Sequence, residues 1–464
     1  MNGSVPHWIE ELRALLGERL HIDAETLAAH AADKWHARAT PEAVLLAETA
    51  EQVACALRLA SERGVPVTPR GAGAGYVGGC VPVHGGLVIS VAGMRRIIEL
   101  NPHDGVAVAE AGVITADLQQ AAAAQGWFYP PDPASRAESS IGGNIATNAG
   151  GPRCLKYGVT RSYVLGLEAV LADGRILRCG GRTHKNKQGF DLTGLFCGSE
   201  GMLGVITQAT LRLIPLPSAR AAVCASFPRF ASAARAVQDV LSAGHLPSAM
   251  EITDRFTIAS ARDYLGSDAL PEAAEGHVII EIDGHAEAVR TELPTLRRVL
   301  AGAGADVIRT AETEEAVEAV WRLRREFSYS LKATGLTKLN EDIVIPRSRL
   351  VELVEFCEGM QKETGLPIAC FGHAGDGNIH TNIMLARDDE GRERRAEADA
   401  LIDRLFAWVL DHGGSITGEH GIGLAKADWF PRAVGKVSME VHRAIKTALD
   451  PRNILNPGKM GLTP

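Results

Sequence analysis

The 464-residue chain contains no C-x-x-C pair. Its eight cysteines, at 55, 80, 154, 179, 197, 224, 357 and 370, stand apart from one another. That excludes an iron–sulfur framework and a cysteine-built structural zinc site within this chain, and it suits small buried side chains in a reducing compartment. No stretch approaches the roughly 18 apolar residues that a membrane-spanning helix needs. The formal net charge is −8, with no basic stripe, so nucleic acid is excluded as a partner. The first twenty residues carry acidic groups in a helical pattern rather than a charged-then-apolar leader. These absences predict a cytoplasmic protein, with peripheral attachment at the inner face of a membrane as the alternative.

What is abundant is glycine, 49 residues, much of it in three tight groups. Length alone argues for two or three domains. Apolar residues at 46% and charged residues at 22% are those of an ordinary globular chain. A helix near the N-terminus and a second from Thr49 to Glu62, stopped by Gly64, lead to a short strand, Val65–Thr68. The first glycine group follows, Arg70-Gly71-Ala72-Gly73-Ala74-Gly75. Its main-chain N–H groups can gather round an anion; a plain flexible loop is the other reading. No helix pattern follows it, so it is not the dinucleotide fingerprint of a Rossmann unit. A strand at 106–111 and a helix from Ala116 to Gln125 lead into Pro131, then Ser139-Ser140-Ile141-Gly142-Gly143-Asn144 and Asn148-Ala149-Gly150-Gly151. Such small and amide-bearing residues cannot fill a core but can wrap a polar ligand. Asp173-Gly174 predicts a type I′ hairpin. The third group, Gly198 to Gly204 with Gly201, runs into Val205-Ile206 and a strand, and prolines 215 and 217 mark a boundary near 218.

Beyond it, strands at 221–226, 277–283, 305–309 and 337–345 alternate with helices at 229–243, 286–301, 313–333 and 348–364. The pattern predicts an antiparallel sheet with helices on one side. In the 313–333 helix, Val317, Val320, Trp321, Arg324, Phe327, Ser328 and Leu331 share one stripe. Arg324 therefore faces with the apolar residues, which is costly unless it is paired. It either snorkels to solvent or meets an anion, for which a guanidinium fork is well shaped.

The chemistry-bearing stretch is Gly372-His373-Ala374-Gly375-Asp376-Gly377-Asn378-Ile379-His380-Thr381-Asn382, read as strand, glycine turn and returning strand. His380 and Asn382 point from one face, and His373 can meet His380 across the turn. With Glu419 of Gly418-Glu419-His420-Gly421, they make three ligands with an open position, as a catalytic metal requires. A polar turn is the simpler alternative, because the spacing matches no short zinc signature such as the H-E-x-x-H helix.

Taken in order over some 390 residues, these groups and Asn453-Ile454-Leu455-Asn456-Pro457-Gly458-Lys459 resemble the vanillyl-alcohol-oxidase (PCMH-type) FAD flavoproteins. Within them, the chain is similar to the branch of D-lactate dehydrogenase, the glycolate oxidase flavoprotein subunit and D-2-hydroxyglutarate dehydrogenase. The resemblance implies an α+β chain with a two-subdomain FAD-binding domain at 1–218. A ferredoxin-like antiparallel-sheet cap is implied at 219–435, and a C-terminal segment at 436–464 returns to the first domain. It implies FAD on Arg70, Gly71, Ala72, Gly73, Ala74, Gly75, Pro131, Ser139, Ile141, Gly142, Gly143, Asn144, Asn148, Gly150, Gly201, Val205, Ile206 and Asn456. Some members tether the flavin through a histidine where this chain has Ala74, so the FAD is expected to be non-covalent.

The resemblance further implies a divalent metal, zinc or manganese, on His373, His380 and Glu419. The substrate would lie on Arg324, Ser328, Lys338, Asn382 and His420, with His420 as the catalytic base. A 2-hydroxy acid would chelate the metal, lose its hydroxyl proton to His420 and pass hydride to the flavin. In dicarboxylate-specific members a lysine lies two residues before the strand's aspartate. Here the aspartate is Asp342 and that place is Asn340, with Lys338 two residues further back. D-lactate or glycolate is therefore favoured over D-2-hydroxyglutarate. The expected acceptor is separate, a quinone, cytochrome or electron-transfer flavoprotein. The alternatives are a stand-alone dehydrogenase, with a homodimer allowed, and the flavin subunit of a multi-subunit complex. A metal-dependent hydrolase sharing only the histidines is the reading from another class.

Overall fold

A computed structural model describes residues 5–266, 270–387, 392 and 394–462. The chain divides into two units, the first made of Met1–Gly150, Val159–Leu216 and Glu419–Pro464, the second of Gly151–Gly158 and Pro217–Gly418. The seams lie at 216/217 and 418/419, against 218/219 and 435/436 expected from the sequence, and a short excursion at 151–158 joins the second unit.

The first unit holds two principal sheets. In one, Ala43–Leu46 and Val67–Arg70 each pair in parallel with Leu87–Ser90, and Leu20–His21 adds an antiparallel edge. The Ala50–Arg63 helix is the crossover that carries the chain from Ala43–Leu46 to Val67–Arg70, on the far side of the Leu87–Ser90 strand. Thr49 caps its N-terminus by accepting from Gln52 N (3.3 Å), and Gly64 stops it in the left-handed region at φ +67°. The other sheet is antiparallel, in the order Ile97–Asn101, Val106–Glu110, Val205–Arg212, Val164–Val170, Ile176–Gly180. Its 171–175 connection is not the type I′ turn expected. Gly174 N donates to Leu171 O and Leu171 N to Arg175 O, and only Gly174 takes positive φ, +81°. A three-residue loop ending in a left-handed glycine results. The C-terminal tail is stitched to the first sheet, Val67 N donating to Ile454 O and Asn456 N to Val67 O, both at 2.7 Å.

The second unit is built on one seven-stranded antiparallel sheet in the order Val307–Ala311, Ala219–Phe227, Gly276–Gly284, Ala249–Asp254, Ile368–His373, Asn378–Leu385, Thr337–Val344. The Ala249–Asp254 strand and the Arg255–Leu265 helix after it are absent from the sequence reading. Every residue of that strand is buried, so it lacks the alternation that marks a half-exposed strand. Helices cover both faces of the sheet, not one. Gly276 points at Ala233 of the Phe230–Ser242 helix. Glu281, of opposite parity on the same strand, accepts from Trp321 Nε1 of the Glu314–Ala333 helix at 2.6 Å. The latter helix lays Val317 and Trp321 over Ala222, Ala249 and Ala311, and Leu331 over Ala369, Phe371 and Met384. The 151–158 excursion is held to this sheet by Lys156 Nζ and Tyr157 Oη on Asp283, at 2.5 and 2.7 Å.

Buried charge ties down the tail. Lys446 Nζ donates to Asp450 Oδ2 (2.5 Å), Leu455 O (2.7 Å) and Met202 O (2.9 Å), and the Asp450 carboxylate also takes Ile454 N and Leu455 N. Lys446 is 4% exposed and Asp450 1%. Removing one partner leaves the other charge buried and uncompensated, which costs about 3–5 kcal/mol. Lys446→Met should therefore lower the urea midpoint of the FAD-loaded protein by that much stability. A midpoint equal to that of the parent would show that the pair contributes nothing net.

Candidate active site

In the first unit, the Val67–Arg70 strand delivers the chain into the 71–79 loop. A cavity of about 340 Å³ opens there, bordered among others by Arg70, Gly71, Ala72, Ser90, Arg95 and Ser140. Arg70 lies under the loop, donating through Nη1 to Ala32 O at 2.8 Å. A side chain at Gly73 would collide with that guanidinium, and a Cβ on Gly71 would come 2.6 Å from Ser140 Oγ. Ser140 caps the short Ile141–Thr147 helix by accepting from Gly143 N (3.3 Å). Gly142 has no room for a Cβ, Ala111 Cβ being 2.6 Å away. Bare backbone, hydroxyls and two guanidinium groups around a cavity of this size suit a pyrophosphate-bearing cofactor.

Of the residues expected at the cofactor, Arg70, Gly71 and Ala72 border this cavity. Ser139, Ile141 and Asn144 flank or belong to the capped helix, with Asn144 Nδ2 donating to Thr115 Oγ1 (2.6 Å). Asn148 ends that helix at φ +52°, and its Oδ1 accepts from Arg161 N at 2.9 Å. Gly150 closes the unit's first stretch. The Pro131 carbonyl accepts from Gln119 Nε2 (2.8 Å), and Val205 and Ile206 begin a sheet strand. Gly201 (φ +74°) sits on Pro69, so the third glycine group abuts the strand leading into the first. Asn456 Nδ2 donates to Gly79 O (2.9 Å) and Glu200 O (2.7 Å).

Glu200 was not singled out by the sequence. Held at φ +49°, its buried carboxylate accepts from Ile422 N (2.7 Å) and Gly423 N (2.8 Å), fixing the chain just after Gly421. Burial pushes its pKa up against those two bonds. Its only sequence signal is an acid inside a glycine cluster. The His420 ring lies 5.1 Å from that of Tyr76.

In the second unit, Ile368–His373 and Asn378–Leu385 pair in the register His373↔Asn378 and Phe371↔His380. The two imidazoles therefore meet diagonally, with ring centroids 5.6 Å apart. Glu419 is peptide-bonded to Gly418, whose N–H donates to Asp342 Oδ2 (2.9 Å). Thr417 Oγ1 donates to the same oxygen (3.0 Å), and Asn378 Nδ2 to Asp342 Oδ1 (2.7 Å). A side chain at position 418 would collide with the Asn378 amide.

Arg324 does not snorkel. Its side chain is 11% exposed, Nε donating to Glu251 Oε2 at 2.6 Å, and its guanidinium carbon lies 4.9 Å from the Phe371 ring centroid. The other oxygen of Glu251 accepts from His373 Nδ1 at 2.5 Å. Burial pushes the Glu251 carboxyl up, but the Arg324 charge and His373 outweigh it and hold it down at about 2. Lys338 Nζ donates to Ser328 Oγ (2.9 Å), and burial, with Lys332 and Arg324 nearby, pushes it down to about 8. Asn382, fully buried, donates to Ala369 O and His380 O, both at 3.0 Å. Its Oδ1 and that of its cross-strand partner Asn340 have no hydrogen-bond partner among the described residues. Two imidazoles, one of them seated on a buried carboxylate, are donors that suit a divalent transition metal.

Two family models match, the FAD binding domain over residues 41–180 and the FAD linked oxidases C-terminal domain over residues 216–460. The chain is 38% identical to glycolate oxidase subunit GlcD of Bacillus subtilis (strain 168), covering 90% of this chain and 89% of that one. It is 32% identical to a D-lactate dehydrogenase of Anaerostipes hadrus, covering 99% and 98%. Among solved structures, p-cresol methylhydroxylase with substrate bound superposes with a TM-score of 0.81 at 19% identity, covering 98% of this chain and 96% of that one. At that identity the likeness concerns the fold. An FAD-dependent oxidoreductase, α+β in class and with the fold of p-cresol methylhydroxylase, is thereby defined. The chain belongs to the FAD-linked oxidase family. Among the described residues, no helix is long and apolar enough to cross a membrane.

Proposed function

We propose that this protein oxidises a D-2-hydroxy acid to the 2-oxo acid with non-covalent FAD and a divalent metal, zinc or manganese, passing the electrons to a separate acceptor. His373 and His380, their rings 5.6 Å apart on the sheet face that Arg324 reaches through Glu251, carry this reading. When bound, FAD supplies the two-electron acceptor and the metal a Lewis acid for the substrate hydroxyl.

The chain's own residues divide the remaining work. His373, His380 and Glu419 hold the metal. Arg324, with Nε committed to Glu251, keeps its outer guanidinium edge for the substrate carboxylate, a match a lysine could not make. Asn382, its amide N–H groups spent on main-chain carbonyls, presents Oδ1 as an acceptor. His420 removes the hydroxyl proton; Glu419 is the harder ligand of the two neighbours, and glycines 418 and 421 allow them to diverge. The loop from Arg70 to Gly75 receives the cofactor's pyrophosphate. Curated relatives named D-lactate dehydrogenase and glycolate oxidase subunit support the hydroxy-acid class. The word subunit keeps the multi-subunit arrangement as the second reading. The acceptor is a quinone, a cytochrome or an electron-transfer flavoprotein.

One observation bears on the size of the acid. Lys338 and Asn340 share a face of the Thr337–Val344 strand, and the buried Lys338 ammonium meets the Ser328 hydroxyl. A second carboxylate on the substrate would find a cation there; lactate or glycolate would not use it.

Three outcomes follow. Ala74 offers no nucleophile, so acid precipitation should leave all flavin in the supernatant; fluorescence that stays with the polypeptide would show a tether. Anaerobic bleaching of the flavin should occur with D- but not L-2-hydroxy acids. It should vanish on chelation while the FAD spectrum persists, and full reduction in metal-free protein would remove the metal from the reaction. Lys338→Met should leave kcat/KM for D-lactate within about threefold and, if diacids are substrates, lower theirs by about tenfold or more, the worth of one charged hydrogen bond. Equal effects on both acids would make Lys338 a packing residue.

A further inference from the structure

A single side chain lies behind both the imidazole and the guanidinium on which the proposed function relies, and the sequence reading does not single it out. Glu251 sits mid-strand in Ala249–Asp254 with no solvent exposure. Its register partner across the sheet is His373, so both side chains rise from the same face, the one covered by the Glu314–Ala333 helix. Each oxygen has a separate claimant: Oε1 takes His373 Nδ1 at 2.5 Å, and Oε2 takes Arg324 Nε at 2.6 Å. From this geometry we infer that Glu251 is the positioning residue for both halves of the site, fixing His373 as a metal ligand and Arg324 as the receptor for the substrate carboxylate.

The argument is one of donors and acceptors. Nδ1 of His373 is committed to a carboxylate, so Nε2 is the nitrogen that the ring offers to an ion. Such outer carboxylates orient metal-bound imidazoles and raise their basicity. Arg324 reaches the site from a helix and has many rotamers. A bond at Nε fixes the plane of the guanidinium and leaves its outer two N–H groups parallel, as a bidentate carboxylate contact requires. Both claimants are donors, so the residue between them must offer two acceptor oxygens. A glutamine offers one oxygen and one NH2 and fails one claimant whichever way it is turned. An aspartate retains the charge but is a methylene shorter and cannot span both.

The same face carries an internal control. Glu281 is equally buried and accepts from Trp321 Nε1 (2.6 Å), Ser248 Oγ (3.0 Å) and Arg220 Nη1 (3.2 Å), with no imidazole among those donors. Its loss should disturb packing and charge balance in the same sheet without touching a metal ligand.

This inference rests on the metal reading above, and its test separates the two. FAD-loaded protein and its Glu251→Gln, Glu251→Asp and Glu281→Gln variants are titrated with zinc alone against a competing chelator. KM and kcat for the best 2-hydroxy acid are then measured at saturating zinc. Both Glu251 variants should bind zinc 10–100-fold more weakly and, with the metal restored, show a KM raised by about tenfold with a smaller change in kcat. Glu281→Gln should bind zinc like the parent. Glu251→Asp, which keeps the buried charge balance, carries the test if Glu251→Gln does not fold. Parental zinc affinity in Glu251→Asp, or a loss no greater than in Glu281→Gln, overturns the positioning role while leaving the metal site standing. A parent that binds neither zinc nor manganese stoichiometrically overturns both.

Discussion

A buried carboxylate, Asp342, fixes how the chain of the second unit leaves its sheet. Asp342 gathers Asn378 from the turn-side end of one strand, and Thr417 and Gly418 from a segment some 75 residues further along the chain than itself. Burying an ionised carboxyl is expensive unless its oxygens are saturated, so these partners are obligatory once the strand pairs. Their joint requirement sets where the chain emerges after residue 418, and with it where the next side chain, Glu419, can reach. The histidines meet through local pairing in a hairpin, whereas the course of the chain at Gly418 is set by a buried charge that recruits a distant turn.

Much of this was legible beforehand for a physical reason: glycine and histidine leave strong marks. Glycine clusters in which a Cβ would strike Ser140, Arg70 or Ala111 must be written as glycine, so the cofactor loops stand out. The Glu314–Ala333 helix announced Arg324 by placing a charge on its apolar stripe. What the sequence concealed were the carboxylates. Glu251 lies in a strand buried on both faces, where alternation is lost and Met250-Glu251-Ile252 reads as nothing in particular. Glu200 looked like one polar residue among glycines. In each case the partner is a donor more than 70 residues distant, and no local pattern encodes a contact of that range. The type I′ turn and the one-sided helices failed for a related reason: parity and turn geometry are set by the sheet, not by a dipeptide.

Electrostatically, the sheet face beneath the Glu314–Ala333 helix is a balance of few charges at low exposure. Arg324 and Lys338 are cations there, and Glu251 is an anion already shared between two donors. The carboxylates of Glu281 and Asp342 are buried on the same face, so cations and anions are matched there. The Lys338 pKa is depressed first by burial and second by Lys332 and Arg324, and an anionic partner beside that ammonium would offset both.

The division of the chain has a consequence for biosynthesis. The cofactor-binding unit is interrupted by the whole of Pro217–Gly418 and completed by Glu419–Pro464, whose tail pairs with Val67 and seats Lys446 against Met202. On a ribosome, the glycine loops are made first, yet their unit cannot close until that stretch has emerged. In the interval the second unit, contiguous apart from 151–158, can form its sheet alone. The nascent protein would therefore pass through a state with an assembled sheet and an open cofactor unit, the sequence-distant pairing that folds slowly and exposes apolar edges. Flavin present when that tail emerges, and the unit can first close, then becomes a determinant of how much of the chain reaches its native form.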